Sequence, residues 1–414
     1  MPVPLPEAPE RRALAERILR KTENGPSPAF RWKRGKLYAG EMAGCIQIGD
    51  LRINVLPKTD AQDENSDGRF LLSLLRYAGY LKQTHIADTA DVETSMRDPL
   101  EAVISEVAAE MTQGLLGGIP KRYELRQEDS LSPRGRIDFN LLSRRLPSRV
   151  DLPISHAPLS VDNILAQCIK ALAIVLQRIT RSEKNRQAFA AVLMQLAGVR
   201  SIRPTLTMID GISLSRYETH WTRSLAIARL VLAGQAPDPT HSGKSAAFSI
   251  LFPLHHLFER SLRRLIAEAM QGSGIAVDHR SRPLHLYEDP ATSQGILRLR
   301  PDYIFTTDGE STAVADAKWK RATEEGKVNG IEREDLYQIH AYLTRFNVKR
   351  AVVFLPIAPW MGAGWRRTIN VMGGAQNVTL LGTDIAGLID HNNATREPAR
   401  AAFKKDLVEL IQPP

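Results

Sequence analysis

Two aspartates and a lysine flank a turn signal in the segment RPDYIFTTDGESTAVADAKWK. The dipeptide Asp308-Gly309 favours a tight hairpin turn, and the residues on both sides of it have the composition of strands. Asp302 lies seven residues before Gly309, and Asp316 lies seven residues after it. This spacing predicts that the two carboxylates face each other across paired strands. Lys318 follows Asp316 by two positions and is therefore expected on the same face of the sheet.

This set of side chains predicts a metal site that acts on a phosphate. Two carboxylates that face each other repel, and a divalent cation between them reverses the sign of that interaction. Mg²⁺ binds a pair of carboxylates, keeps several waters and takes further ligands from phosphate oxygens, and we expect Mn²⁺ to substitute for it. The backbone carbonyl of Ala317 is a candidate third ligand. Metal-bound water has a lowered pKa, and Lys318 is expected to orient the nucleophile or to stabilise charge on the phosphorane.

A salt-bridged surface ribbon is the alternative interpretation of the same residues. Aspartate and lysine two positions apart on one strand are a common solvated pattern, and the tripeptide D-x-K occurs by chance in many chains. The opposing aspartate and the turn at the midpoint favour a functional site over the ribbon.

The composition describes a basic globular protein. The net charge of +9 favours a polyanionic partner such as nucleic acid, although good solubility alone is the other interpretation. Only two cysteines occur, Cys45 and Cys168, which excludes a disulfide framework and a four-cysteine zinc site. The sequence has no run of eighteen apolar residues and no apolar signal segment at its start. We therefore expect a cytoplasmic protein without a membrane partner.

The pattern of elements predicts an α/β protein of three consecutive segments. Residues 1–150 are expected to form a mixed, strand-rich N-terminal domain, and residues 151–245 a helical middle region, because their apolar residues recur at three and four positions. A stretch rich in Pro, Gly and Ser separates these from an α/β domain at 246–414. Within it, the hairpin is joined by an amphipathic helix at 251–270 that starts near Pro253, a helix at 332–346, strands at 350–357 and 378–384, and a closing helix at 396–412.

One further motif resembles part of a nucleotide-binding site. HSGKS, at 241–245, resembles the end of a phosphate-binding loop, but Asp238 stands where the motif needs glycine, and no buried strand is expected before it. We therefore expect no NTPase motor in this chain.

The hairpin residues resemble a known nuclease signature. Pro301-Asp302 followed by Asp316-Ala317-Lys318 resembles the PD-(D/E)xK motif. With LFERSL upstream and DLYQIHAY downstream, the sequence is most similar to the McrC family, the nuclease subunits of McrBC-type modified-cytosine restriction systems. Three earlier stretches resemble that family's N-terminal and middle motifs in the expected order: INVLPK (53–58), PRGRIDF (133–139) and SVDNILAQCIKAL (160–172).

The resemblance implies a fold and a role for each matched residue. It implies that 246–414 form a restriction-endonuclease-like core, a mixed sheet flanked by helices. Asp302 and Asp316 would bind the metal, and Lys318 would be the catalytic lysine. Glu259, in LFERSL, would add a ligand or hold a metal-bound water; the alternative is a surface carboxylate paired with Arg263 at i+4.

Gln338 and Tyr342 match a Q-x-x-x-Y pattern of related nucleases. Because they are four positions apart on one predicted helix, they would project together and hydrogen-bond the catalytic lysine or a DNA phosphate. The alternative for Tyr342 is a half-buried core residue.

The resemblance also implies partners. It implies a Mg²⁺-dependent DNA endonuclease subunit of a defence complex that cuts double-stranded DNA together with an AAA+ GTPase, a McrB-like ring that recognises methylated DNA and translocates. By analogy, residues 1–150 would dock onto that ring and stimulate its hydrolysis, with the loop of a predicted hairpin at 44–58 as a contact. The alternatives are a non-catalytic regulatory or assembly subunit, and an autonomous nuclease.

Overall fold

The computed structural model describes residues 30–33, 36–48, 51–57, 64–82, 98–146, 148–233, 247–279, 284–320, 322–325 and 328–412, besides two isolated positions near the start. Within these ranges, the strands are β1 (Phe30–Lys33), β2 (Lys36–Ala39), β3 (Met42–Ile48), β4 (Leu51–Val55), β5 (Arg122–Tyr123), β6 (Arg126–Ser130), β7 (Arg136–Ile137), β8 (Leu152–His156), β9 (Leu159–Ser160), β10 (Ala247–Pro253), β11 (Ile275–Asp278), β12 (Leu284–Glu288), β13 (Gly295–Leu299), β14 (Tyr303–Thr307), β15 (Glu310–Ala317), β16 (Arg350–Pro356), β17 (Arg366–Asn370) and β18 (Asn377–Thr383). The α-helices are α1 (Glu64–Tyr77), α2 (Pro99–Leu115), α3 (Phe139–Leu142), α4 (Ile164–Ile179), α5 (Glu183–Gln195), α6 (Leu206–Asp210), α7 (Thr222–Ala233), α8 (Leu254–Met270), α9 (Arg333–Arg345), α10 (Ile385–Leu388) and α11 (Asn393–Ile411).

The chain divides into two compact units, each made of separate segments. One unit comprises 1–45, 53–99 and 251–414, and the other comprises 46–52 and 100–250. The boundary near 250 lies close to the expected break after 245, whereas residue 150 lies within the second unit. The roles expected for the three consecutive segments, including partner docking by 1–150, stay predictions.

A six-stranded mixed sheet forms the core of the unit that contains the hairpin. Its strand order is β11-β14-β15-β16-β18-β17. β15, β16 and β18 run parallel to one another, while β14 is antiparallel to β15 and β17 is antiparallel to β18. This α/β architecture, with its mixed sheet, confirms the expected fold class.

Helices cover both faces of this sheet because successive strand residues point to opposite sides. On one face, Ile339 and Leu343 of α9 belong to the same buried cluster as Val314 and Val353. On the other face, Phe354 packs against Phe403 of α11, with ring centroids 6.2 Å apart. The aromatic Phe258 of α8 packs edge-on against Trp319, at 5.3 Å.

The β14–β15 hairpin has the turn that its sequence predicts. Asp308 and Gly309 have φ angles of 52° and 84°, both in the left-handed region that a two-residue hairpin turn of this type requires. Thr307 therefore pairs with Glu310, but the register shifts by one residue between Phe305 and Thr306, because β15 has one extra residue, Thr312, in a β-bulge. The bulge decides which residues oppose each other farther from the turn.

The elements beside the hairpin agree with the expected ones to within a few residues. α8 begins directly after Pro253, whose fixed φ suits the residue that precedes a helix. α9 begins with a capping box in which Glu332 and Asp335 accept hydrogen bonds from each other's backbone N–H. In the N-terminal part, β3 and β4 are neighbours in one sheet, as the 44–58 pattern predicts. The turn at 49–50 lies outside the described residues, as does the HSGKS stretch.

The second unit contains the helices that the apolar spacing of the middle region predicts. Glu101 of α2 binds the start of α5 and the link before it, because it accepts hydrogen bonds from Asn185 Nδ2 at 3.0 Å and from the backbone N–H of Arg181 at 3.1 Å. Among the described helices, none combines the length and the apolar character needed to cross a membrane.

Candidate active site

Asp302 and Asp316 are brought together by the end of the β14–β15 ladder. Tyr303 pairs with Ala315, so continuing the register by one residue places Asp302 opposite Asp316. A two-residue turn without the bulge would have placed Ala315 there instead. The side chain of Asp302 is fixed by the backbone, because its Oδ2 accepts a hydrogen bond from the N–H of Ala317 at 2.7 Å.

Burial makes both carboxylates reluctant to ionise. Asp316 is only 4% exposed. Burial, followed by the negative charge of Asp316, raises the pKa of Asp302 to about 7. Burial also raises the pKa of Asp316, although the ammonium of Lys318 opposes this effect. Without a further cation, the single charge of Lys318 would therefore not neutralise two ionised carboxylates.

Lys318 lies between the aspartates and helix α9. Its Nζ is 2.8 Å from Asp316 Oδ2 and forms an ion pair with that carboxylate. Nζ donates a well-formed hydrogen bond to Gln338 Oε1, at 3.0 Å. Burial by itself lowers the pKa of Lys318, but the charge of Asp316 outweighs it and the net shift is upward. The lysine is thus held as a cation.

Gln338 and Tyr342 form a hydrogen-bonded chain behind the lysine. Tyr342 donates its hydroxyl proton to the carbonyl of Arg300 at 3.0 Å and accepts a hydrogen bond from Gln338 Nε2 at 2.7 Å. This fixes the amide so that its oxygen faces Lys318. Tyr342 is also 2% exposed, so it is a core residue and part of this chain at once. The two interpretations of Tyr342 do not exclude each other.

Glu259 lies near the carboxylates but is engaged with its own helix. Its Oε1 is 2.7 Å from Arg263 Nη2, the i+4 pair expected as the alternative. Its backbone carbonyl accepts a hydrogen bond from the Tyr303 hydroxyl at 2.7 Å, which anchors α8 to β14. Its charge adds to the upward shift of the Asp302 and Asp316 pKa values. A role as metal ligand or water holder stays a prediction.

The residues present fit a hard divalent cation with an incomplete protein shell. In the described parts of the chain, no three side chains of His, Cys, Asp or Glu are grouped to hold a metal ion. Buried Asp316 and half-buried Asp302 remain, and Oδ2 of Asp316 has its ion pair with Lys318 as its close polar contact. Mg²⁺ commonly uses one or two carboxylates and fills the other positions with water and phosphate oxygens. The carbonyl of Ala317, next to both aspartates in the register, remains a candidate ligand.

Comparison with known sequences identifies the family. Residues 37–355 match the profile of the family described as McrBC 5-methylcytosine restriction system component. This match spans more than half of the 414 residues. The chain belongs to this McrBC family. No curated protein matches the sequence.

Solved structures similar to this McrBC family member come from Thermococcus gammatolerans. A chain of the refined half-complex from the tetradecameric assembly of McrB AAA+ hexamers with bound McrC has 15% sequence identity and a TM-score of 0.56, over 96% of this chain and 93% of that chain. A chain of the cryo-EM structure of the McrBC complex has 16% identity and a TM-score of 0.45, over 62% of this chain and 80% of that chain. The first likeness shows a shared fold.

Asp335 and Lys320 of this McrBC family member also lie at the site, although the sequence analysis did not select them. Asp335 Oδ1 is 3.5 Å from Lys318 Nζ, and its Oδ2 is 2.7 Å from Lys320 Nζ. Burial alone raises the pKa of Asp335, but the hydrogen bond from Lys320 and the charge of Lys318 outweigh it, so the net shift is downward. The available signals were the second lysine of DAKWK and the acidic start of helix α9 in EREDL.

Proposed function

We propose that this chain is the nuclease subunit of an McrBC-type restriction complex, which hydrolyses phosphodiesters of double-stranded DNA with Mg²⁺. The observation that carries the proposal is the convergence of Asp302, Asp316 and Lys318 at the end of one hairpin, in the order of the PD-(D/E)xK signature. A buried and a half-buried carboxylate with raised pKa values are not typical of a solvated surface ribbon. Their burial and pairing therefore support a site rather than a solvated surface.

The side chains have separate tasks in this reaction. Asp302 and Asp316, with Ala317 and Glu259 as further candidates, would hold the cation, which when bound supplies a nucleophilic water of lowered pKa and a Lewis acid for the phosphate. Lys318 has a raised pKa and would stabilise negative charge that develops on the phosphate oxygens. Gln338 and Tyr342 hold that ammonium in position from the side of α9.

We propose that an AAA+ NTPase supplies the recognition of modified DNA and the translocation. Family membership supports this, and so does the fold shared with a chain of an assembly that contains McrB AAA+ hexamers and bound McrC. In this proposal the chain docks onto the ring and stimulates its NTPase, and the net charge of +9 favours DNA as the other partner.

The proposed function is tested by cleavage of a supercoiled plasmid that carries methylated cytosines. We expect strand scission only when the chain, Mg²⁺, the AAA+ partner and its nucleotide are all present. Asp316→Asn is expected to lower the rate at least about 100-fold, because the amide cannot replace a carboxylate as ligand. Asp308→Asn is the matched control, since this exposed turn residue has φ 52°, which asparagine tolerates.

Each other result has a defined meaning. Scission by Asp316→Asn at the wild-type rate would contradict the assignment of the site. Scission without the partner would indicate an autonomous nuclease. Stimulated NTPase activity without any scission would indicate a regulatory or assembly subunit whose hairpin carboxylates are structural.

A further inference from the structure

The ammonium of Lys318 lies close to three side-chain oxygens from two different elements. Asp316 lies on its own strand end, at 2.8 Å, while Gln338 and Asp335 come from the first turns of α9, at 3.0 Å and 3.5 Å. Asp335 and Gln338 are three positions apart, so they project from the same side of the helix. The start of α9 therefore forms one wall of the lysine's environment.

Asp335 is itself fixed more firmly than a surface carboxylate. It is 7% exposed. Its Oδ2 accepts hydrogen bonds from Lys320 Nζ at 2.7 Å and from the backbone N–H of Glu332 at 3.4 Å. Both contacts are made by the same oxygen, so Oδ1 is left directed at Lys318. The carboxylate bridges the two lysines of the DAKWK segment.

A second anion is needed because Asp316 has two tasks in the proposed reaction. Asp316 would bind the cation, and a carboxylate shared with a divalent ion attracts an ammonium less strongly. A lysine side chain has four rotatable bonds and a strongly hydrated head group, so it turns towards water when its partner weakens. Asp335 keeps a negative charge beside Lys318 whatever Asp316 binds.

We infer that Asp335 is a positioning residue that holds the Lys318 ammonium at the reacting phosphate, and that Lys320 orients Asp335 for this task. The inference rests on the proposed nuclease function. It assigns to the second lysine of DAKWK an indirect relation with the first, because Asp335 contacts the ammonium groups of both. In this inference Asp335 acts through Lys318 and not on the phosphate itself.

Asp335→Asn tests this inference because the amide keeps the size and one acceptor oxygen of the side chain but removes its charge. We expect kcat for Mg²⁺-dependent plasmid cleavage, measured in the complete complex, to fall about 10- to 100-fold, since small misplacements of a reacting group have effects of this size. KM for DNA is expected to stay within about threefold, because DNA binding does not use Asp335.

Glu332→Gln is the matched control. Glu332 takes part in the same capping box and pairs with the same Lys320, at 2.8 Å, but its side chain is 64% exposed and makes no described contact with Lys318. Both variants therefore weaken the start of α9, and we expect similar losses in thermal stability. Only Asp335→Asn should slow cleavage, whereas Glu332→Gln should retain kcat within about twofold.

A second measurement reports the accessibility of the Lys318 ammonium without any DNA. Trace acetylation of the intact protein followed by peptide mass spectrometry gives the reactivity of Lys318 relative to Lys405, which is exposed. We expect this ratio to rise about threefold or more in Asp335→Asn, because the released ammonium becomes accessible to the reagent, and to stay unchanged in Glu332→Gln.

The outcomes separate this inference from the proposed function. If Asp316→Asn abolishes cleavage while Asp335→Asn cuts at the wild-type rate, or if the acetylation ratio does not change, Asp335 does not position Lys318. Equal losses of kcat in Asp335→Asn and Glu332→Gln would also overturn the inference, because they would indicate a purely structural role. Absence of cleavage by the wild-type complex would contradict the proposed function, and the acetylation ratio would still decide whether Asp335 holds the lysine.

Discussion

Asp302 and Asp316, at the end of the β14–β15 ladder, have pKa values above those of the same side chains in water. Asp302 is bound by the N–H of Ala317 at 2.7 Å, yet burial and the neighbouring Asp316 raise its pKa to about 7. A protonated or strongly shifted carboxyl pair is typical of sites that meet a cation or a substrate during function. The metal-free protein should therefore show a measurable pH dependence.

We predict that Asp302 stabilises the metal-free protein at about pH 4, and that this contribution to the free energy of unfolding is lost as the pH rises to about 7. In this window native Asp302 keeps a proton that the unfolded chain has already released, so its contribution is complete below the unfolded pKa and is lost as the pH passes the native value. Urea unfolding in EDTA at pH 5 and pH 8 measures the difference. The free energy of unfolding of Asp302→Asn should lose less than that of wild type between pH 5 and pH 8, whereas that of Asp308→Asn should change as in wild type.

The same residues show what sequence could predict at this scale. Asp302, Asp316 and Lys318 were found from a turn dipeptide and a count of positions centred on Gly309. The two-residue turn alone would pair Asp302 with Ala315, and the unexpected bulge shifts the register so that Asp302 lies opposite Asp316 as the count predicted. Asp335 was not found, since its contact with Lys318 depends on where α9 packs against the strand end. That placement is set by long-range packing, which leaves no local pattern around residue 335.

At the scale of elements, the hairpin turn fixes the spacing of the two strands that carry the aspartates. Gly309 has φ 84°, a conformation that a residue with a side chain rarely adopts, and a Cβ added there would meet nothing within 4 Å. The requirement for glycine is therefore conformational rather than steric.

We predict that Gly309→Ala destabilises the protein by about 1 kcal/mol, because alanine is strained in the left-handed region. Gly362→Ala is the control, since its Cβ also meets nothing within 4 Å but its φ lies outside that region. Thermal or urea unfolding of both variants measures the difference. Equal stability of the two variants would show that the turn does not require this conformation.

The elements near the site differ in how clearly their sequences predict them. α8, α9, β16 and β18 have long apolar patterns with clear boundaries, so the expected and observed bounds agree to within a few residues. β11 and β17 were not expected. They are short edge strands at either end of the sheet, with few buried residues, and therefore have weak periodicity. The bulge next to Phe305 was not expected either, since one extra residue in a strand does not alter its composition.

At the scale of the whole molecule, cleavage and stimulation of the partner should be separable. The carboxylates lie in the unit that contains 251–414, whereas the expected docking module was 1–150, which both compact units share. We predict that Asp316→Asn stimulates the AAA+ partner's NTPase to within about twofold of wild type while scission is lost, because substituting one buried anion leaves the rest of the surface unchanged. Steady-state phosphate release with and without the variant measures this. Loss of stimulation together with scission would indicate that the site and the docking surface are coupled.

The binding of a divalent cation by Asp302 and Asp316 is tested most directly by calorimetric titration of the purified chain with Mn²⁺ at pH 8. We predict that wild type, Lys318→Ala and the turn control Asp308→Asn bind the cation, and that Asp302→Asn and Asp316→Asn lose this binding. Unchanged Mn²⁺ binding by both asparagine variants would contradict the assignment of these two aspartates as the metal site.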